Sequence, residues 1–203
     1  MTPEVSSEVS LKEAKAIKVS LVSVMAALSV ALSFIQIPFP IAPFLKYDLA
    51  GIPLIITALL IGPKYALLAD TVLMIALLRG GDPIGAAMKW FAEASTFIPM
   101  YYTYRLLRGR FSKAKVLYAS SSAAGVTARV GLMVLANYLV DPWWFLIAHW
   151  VSTYAKAVSL TIYLLPVIAL FNLTIAVIYI AVAYPVYLTI ARRFRWLINA
   201  GGE

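Results

Sequence analysis

Residues 84–140 read IGAAMKWFAEASTFIPMYYTYRLLRGRFSKAKVLYASSSAAGVTARVGLMVLANYLV, two apolar stretches joined by a connection carrying Arg105, Arg108, Arg110, Lys113 and Lys115. Each stretch is long enough to cross a hydrocarbon core of roughly 30 Å as a helix rising about 1.5 Å per residue. A cluster of lysine and arginine between two spans marks the cytoplasmic side. The whole chain follows this pattern: hydrophobic residues make up 63% and charged residues 13% of 203 residues, and the mean hydropathy is +0.88. A soluble domain of this size cannot hide so much apolar surface. The formal charge of +8 would point to nucleic acid in a soluble protein. Here the basic residues flank apolar spans, where the anionic cytoplasmic leaflet accounts for them, and no nucleic-acid partner is expected.

Toward the N-terminus, residues 17–35 form a continuous apolar span preceded by Lys12, Lys15 and Lys18. The polar start and the lack of a small-residue cleavage site predict a retained span, not a signal peptide. Pro38, Pro40 and Pro43 bar a regular helix and predict an extended, stiff loop. Residues 49–61 and 65–78 are apolar but short, divided by Gly62-Pro63-Lys64, and read as tilted or partly buried helices. After a sharp turn at Arg79-Gly80-Gly81-Asp82-Pro83, residues 84–107 form a fourth span, kinked near Pro99. A fifth runs over 116–140 and stops at Asp141-Pro142, followed by an aromatic loop with Trp143, Trp144, Phe145, Trp150 and Tyr154. Residues 157–191 carry no charge. A helix of about 35 residues would be roughly 52 Å long, so a break between Pro166 and Asn172 is expected, leaving 173–191 as the sixth span.

Sorting the basic residues by side tests this topology. With both termini inside, Lys12, Lys15, Lys18, Lys64, the five of the basic connection, Arg192, Arg193 and Arg195 give twelve on the inner side. The outer side holds four, Lys46, Arg79, Lys89 and Lys156, and Arg129 lies within a span. The expectation is one all-α integral membrane domain over 1–203 in the plasma membrane. It has six transmembrane helices, an outward-facing ligand pocket, and cytoplasmic segments at about 1–16 and 192–203.

The pocket is expected from the outer loops, which combine the prolines and Leu45-Lys46-Tyr47-Asp48 with the aromatic loop after span five. Aromatic walls with a few placed polar groups suit a small molecule, although the same aromatics also suit an interfacial belt. Asp70, Glu93 and Arg129 sit at membrane depth, where ionisable groups are paired or functional. Lys89 and Glu93 are four apart on one helix. Arg129 is positioned either to compensate Asp70 or Glu93 or to meet a ligand. Asn137 and Asn172 are amides in apolar surroundings that need partners and could converge with Lys89 on one ligand. Ser23, Ala27 and Ala31 recur every four residues, a small-residue ladder fit either for close approach of a partner helix or for packing inside the bundle.

Catalytic chemistry has little support. There is no cysteine and one histidine, His149, so neither a disulfide framework nor a Cys/His metal cluster can form, and no metal site or resident cofactor is expected. Nucleotide-binding GxxxxGK[ST], HExxH and GxSxG motifs are absent.

The segment Leu45-Lys46-Tyr47-Asp48-Leu49-Ala50-Gly51-Ile52-Pro53, the turn Ile61-Gly62-Pro63, the stretch from Gly85 through Ala94-Ser95 to Pro99, Ala136-Asn137-Tyr138 and Phe171-Asn172 occur in this order along most of the chain. The pattern resembles the substrate-binding S components of energy-coupling factor (ECF) vitamin transporters, most closely the riboflavin-specific ones. The resemblance implies a six-helix membrane protein that binds a vitamin under a loop-one lid. It also implies partners: a membrane coupling subunit and two cytoplasmic ATPases, where any ATP hydrolysis resides. Ala27 and Ala31 resemble the contact motif for the coupling subunit, and Asn137 and Asn172 match flavin-binding amides. Two positions depart from the family: a lysine one turn after the second amide is here Ile175, and a Glu and an Asn in span four are here Ala86 and Lys89. The expected substrate site is Tyr47, Asp48, Lys89, Asn137 and Asn172, with riboflavin as the ligand. The alternatives are an S component for an acidic vitamin such as pantothenate with Lys89 as counter-ion, a small membrane enzyme using Asp70, Glu93 and Arg129, and a solitary facilitator.

Overall fold

The structure, a computed structural model, describes residues 3–110 and 114–193. Lys113 of the basic connection, Arg195 and the remainder of the expected tail lie outside the described residues. Six α-helices follow one another: α1 (Pro3–Ser33), α2 (Gly51–Ile61), α3 (Pro63–Leu77), α4 (Pro83–Leu107), α5 (Ala114–Ile147) and α6 (Tyr154–Arg193). Three windows, Lys15–Ser33, Ala114–Ile147 and Tyr154–Ala191, are long and apolar enough to cross a membrane. The outer surface is apolar: Val24 and Leu28 of α1, Leu68, Val72 and Ile75 of α3, Leu135 and Leu139 of α5 and Val177 of α6 are all exposed. In lipid that exposure carries no hydrophobic penalty, and the polar side chains turn inward instead.

The short apolar segments become α2 and α3, with α2 at the centre. All eleven residues of α2 are buried. Gly62 joins the two helices at φ 105°, a backbone conformation that favours glycine, and Pro63 starts α3 where its missing N–H has no helical partner to lose. On α3 the buried Ala66, Ala69, Asp70 and Leu73 alternate at helical spacing with the exposed face. α1 is fastened to the start of α2 by the Ser29 hydroxyl, which donates to the Ala50 carbonyl at 2.9 Å.

Three expectations are corrected. The proline-rich loop is extended but paired: β1 (Ile37–Phe39) and β2 (Ala42–Tyr47) form an antiparallel hairpin with Ile37 opposite Tyr47, so the fold is not purely helical. Proline is tolerated there because only two strands are present and each has a free edge. Second, α5 does not stop at Asp141-Pro142 but continues to Ile147, carrying Trp143, Trp144 and Phe145 on the helix. Third, residues 157–191 do not break: α6 is one helix of 40 residues. Pro166 removes one backbone bond without ending the helix. The Asn172 amide donates to the Ile168 carbonyl one turn back at 3.0 Å, so it sits on an intact helix. The sequence argument assumed that an uncharged run must fit within the bilayer, whereas a helix of about 60 Å can tilt or project beyond it. Pro99 likewise lies inside an uninterrupted α4.

Gly51 marks the tightest packing in the core. A Cβ there would collide with the Tyr179 ring and the Glu93 carboxylate. Gly51→Ala is expected to destabilise the fold by about 1–3 kcal/mol through overpacking, read as a lowered thermal transition of the detergent-solubilised protein. Ala87→Gly on the exposed side of α4 serves as a control for helix propensity.

Candidate functional site

A cavity of about 520 Å³ lies at the hairpin end of the bundle, between β2, the turn after α3, α4, α5 and α6. Each long helix contributes a stripe at helical spacing. From α5 come Arg129, Met133, Asn137 and Asp141, four residues apart; from α4, Gly85, Lys89 and Ala92; from α6, Ile168, Phe171, Asn172 and Ile175.

Its floor is a ladder of charges. Asp48, in the link between β2 and α2, accepts the Ala50 amide at 2.9 Å and the Tyr179 hydroxyl at 2.9 Å. Lys89 Nζ lies 2.9 Å from Asp48 Oδ2 and 3.1 Å from Glu93 Oε1, one turn along α4. The other Glu93 oxygen pairs with Arg129 Nη1 at 3.2 Å. Arg129 also donates from Nη1 to the Thr96 hydroxyl at 3.0 Å and from Nε to Asn172 Oδ1 at 3.1 Å. The Tyr179 ring, fully buried, lies 5.5 Å from the Arg129 guanidinium and 5.9 Å from Lys89 Nζ, within cation–π range. Two cations and two anions alternate, so each buried charge has an opposite partner and the floor is close to neutral.

The mouth is aromatic. Phe44 of β2 meets Trp150 edge-on at 5.4 Å, and Trp150 also contacts Trp144 at 5.1 Å and stacks on Phe145 at 5.4 Å. Trp144 Nε1 donates to Asp82 Oδ1 at 3.4 Å, and the same oxygen caps α4 by accepting the Gly85 amide at 2.8 Å. Phe44, Trp144 and Phe145 line the cavity, whereas Trp143 and Tyr154 are exposed and pack on each other at 5.0 Å, in the manner of an interfacial pair.

Of the five substrate residues expected from sequence, Asp48, Lys89, Asn137 and Asn172 line this one cavity. Tyr47 lies behind its wall: the hydroxyl is 2.6 Å from Thr174 Oγ1 and the ring packs on Phe39 and Phe171, so it anchors the hairpin to α6. Arg129 is paired with Glu93, not Asp70. Asp70 is fully buried outside the cavity lining, and neither carboxylate oxygen has a partner among the described residues. Asp70, Glu93 and Arg129 therefore share no cavity. Ser23, Ala27 and Ala31 face outward on α1, opposite its buried Ala26, Ser29 and Ser33. Sequence reasoning missed Asp141 and Phe171 as wall residues, while Trp144 and Phe145 belong to the aromatic segment it expected in the walls; the four-residue spacing of Asp141 from Asn137 was the available signal.

No protein-family model matches the chain. Over 122 residues, 59% of its length, it is 28% identical to the riboflavin transporter RibU of Staphylococcus aureus (strain TCH60), and it spans 62% of that relative's length. A solved structure of the S component of a bacterial ECF transporter matches with a TM-score of 0.63, covering 91% of this chain and 98% of that one at 19% identity.

Removing one rung of the charge ladder leaves the next buried and unpaired. Glu93→Ala is expected to cost about 3–5 kcal/mol, seen as loss of the folded, monodisperse protein or a large fall in its thermal transition. Glu93→Gln keeps the volume but has one acceptor oxygen for two cationic donors, so it satisfies only one of Lys89 and Arg129 and is expected to remain strongly destabilising. The chain is a multi-pass membrane protein whose fold is that of an ECF transporter S component and whose sequence is related to that of a riboflavin transporter.

Proposed function

We propose that this protein is the vitamin-binding subunit of an ECF-type importer and that its ligand is riboflavin. The observation that carries the reading is the convergence of Asn137 and Asn172 on a single cavity of about 520 Å³ with aromatic walls and a near-neutral floor. That volume falls within the roughly 300–1,000 Å³ of small-molecule sites. Phe44, Trp144 and Phe145 offer faces for a planar ring, and stacking of this kind adds about 0.5–1.5 kcal/mol beyond burial. The relative named above is a riboflavin transporter, which supports the same ligand.

The charge balance weighs against an acidic vitamin. Three basic side chains, Lys46, Lys89 and Arg129, and three acidic ones, Asp48, Asp82 and Asp141, line the cavity. Lys89 is already paired with both Asp48 and Glu93. A carboxylate ligand would have to displace those partners, whereas a neutral ring with polar edges need not.

The remaining parts follow from this reading. The single domain sits with both termini in the cytoplasm, because the α2–α3 turn with Lys64 and the α4–α5 connection lie at the basic end. The cavity then opens to the outside under the hairpin. The exposed ladder Ser23, Ala27 and Ala31 is the contact for a membrane coupling subunit, since small side chains let another helix approach closely. ATP hydrolysis belongs to two cytoplasmic partner subunits, and this chain does no chemistry.

The decisive experiment is the absorption spectrum and mass of whatever co-purifies with the detergent-solubilised protein from cells grown in rich medium. A stoichiometric flavin is expected; a different vitamin would overturn the riboflavin reading and keep the importer. Asn137→Ala is expected to weaken riboflavin binding about tenfold or more with an unchanged thermal transition, because a polar ligand edge loses its partner. Ala27→Trp is expected to leave binding intact and abolish uptake in cells carrying the coupling module.

A further inference from the structure

The hydrogen bonds of Arg129 are uneven. Nε serves Asn172, and Nη1 serves Glu93 and Thr96, with the Ala92 carbonyl at 3.4 Å. Nη2 donates to nothing among the described residues, yet it is not among the buried polar atoms that lack a partner, and the side chain lines the cavity. A guanidinium carries five N–H donors in a rigid fork. Here one arm is locked into protein by three partners, which aims the other arm at the cavity with little freedom left to lose. Asn137 is the complement: its Nδ2 donates to the Met133 carbonyl at 2.7 Å, while Oδ1 has no protein partner and faces the same space. The cavity thus offers a fixed cationic donor from Arg129 and, about two turns (roughly 12 Å) farther along α5, a separate acceptor from Asn137.

Resting on the flavin reading above, we infer that Arg129 is a ligand-contacting, specificity-determining residue: its free Nη2 donates to a carbonyl oxygen of the ligand's ring system. A charged donor held in place by protein contacts selects a ring that presents a carbonyl oxygen to it. Lys89 does not fill this role, because its ammonium already contacts Asp48, Glu93 and Tyr179.

The test measures affinities of the full-length, detergent-solubilised protein for riboflavin, 2-thioriboflavin and 4-thioriboflavin by quenching of flavin fluorescence or by calorimetry. A thiocarbonyl keeps ring shape but is a poor acceptor. The wild type is expected to bind one of the two thio analogues about tenfold or more weakly than riboflavin, the size of a lost hydrogen bond to a charged donor. Arg129→Lys keeps a cation for Glu93 but cannot hold Asn172, Thr96 and a ligand together, and in it that preference is expected to fall to about one. A variant that binds riboflavin more weakly yet keeps the full preference would make Arg129 a support for Asn172 only, and overturn the inference; so would a wild type that binds all three flavins alike. If Arg129→Lys does not fold, the pair Arg129→Met with Glu93→Gln removes both charges of the buried pair together and is read in the same way. Failure of the wild type to bind any flavin would instead reject the riboflavin reading itself.

Discussion

The burial of four charges in the middle of an apolar bundle is the constraint around which the other parts of the structure are arranged. An unpaired ion at membrane depth costs several kcal/mol. The chain meets that cost by strict alternation, Asp48, Lys89, Glu93, Arg129, and ends the series on the Asn172 amide. Each rung comes from a different place or turn: the link after the hairpin, two turns of α4, the middle of α5 and the middle of α6. Satisfying the charges therefore fixes the relative height of three long helices, which slippery apolar contacts alone would leave free to slide. It also explains the bareness of Gly51, where the ring of Tyr179 and the carboxylate of Glu93 occupy the space a side chain would need.

The bilayer inverts the usual logic of burial. Leucine and valine cover the outside of α1, α3, α5 and α6, while Ser29, Thr57, Thr96, Ser121 and Thr161 are all fully buried, each donating to a backbone carbonyl. In such a setting non-helical backbone is tolerable only where it pairs with itself or meets water. The hairpin satisfies this by forming its own two-stranded ladder at one end of the bundle, next to the cavity, and by tying its last residue, Tyr47, to α6.

The helices were legible because hydropathy and the placement of lysine and arginine are local properties of the sequence. Gly62-Pro63 and Asp82-Pro83 fell at helix starts because proline and the Asp82 cap act within a turn. The uninterrupted course of α6 was not legible. Whether Pro166 ends a helix depends on the neighbours that hold it, not on the residue itself, and length is a poor ruler when a helix is free to tilt. The amides Asn137 and Asn172 were readable as polar residues with nowhere else to go. What escaped was partner choice: the sequence allowed Arg129 to meet Asp70 or Glu93, and only the packing of α5 against α4 and α6 decides for Glu93. Tyr47 was read as a loop-one residue closing the site, whereas the hairpin turns its ring onto Phe39 and Phe171 and its hydroxyl to Thr174.

The hairpin is held unequally on its two faces. At its base, Asp48 is bound to Lys89, Tyr179 and the Ala50 amide just before α2, and Tyr47 to Thr174, all buried or half-buried and charge-assisted or short. At the turn, Phe39 and Ala42 are buried and Phe39 packs on Phe171, so that end is anchored too, whereas Phe44 on the cavity side meets the exposed Trp150 through an aromatic edge. Contacts of the second kind are worth about 0.5–1.5 kcal/mol, whereas separating Asp48 from Lys89 would strand two charges. The Phe44–Trp150 contact is therefore the weakest of those that hold the hairpin. The ladder that fixes the helices also keeps the floor of the cavity assembled, so its polar groups are held in place by the fold itself.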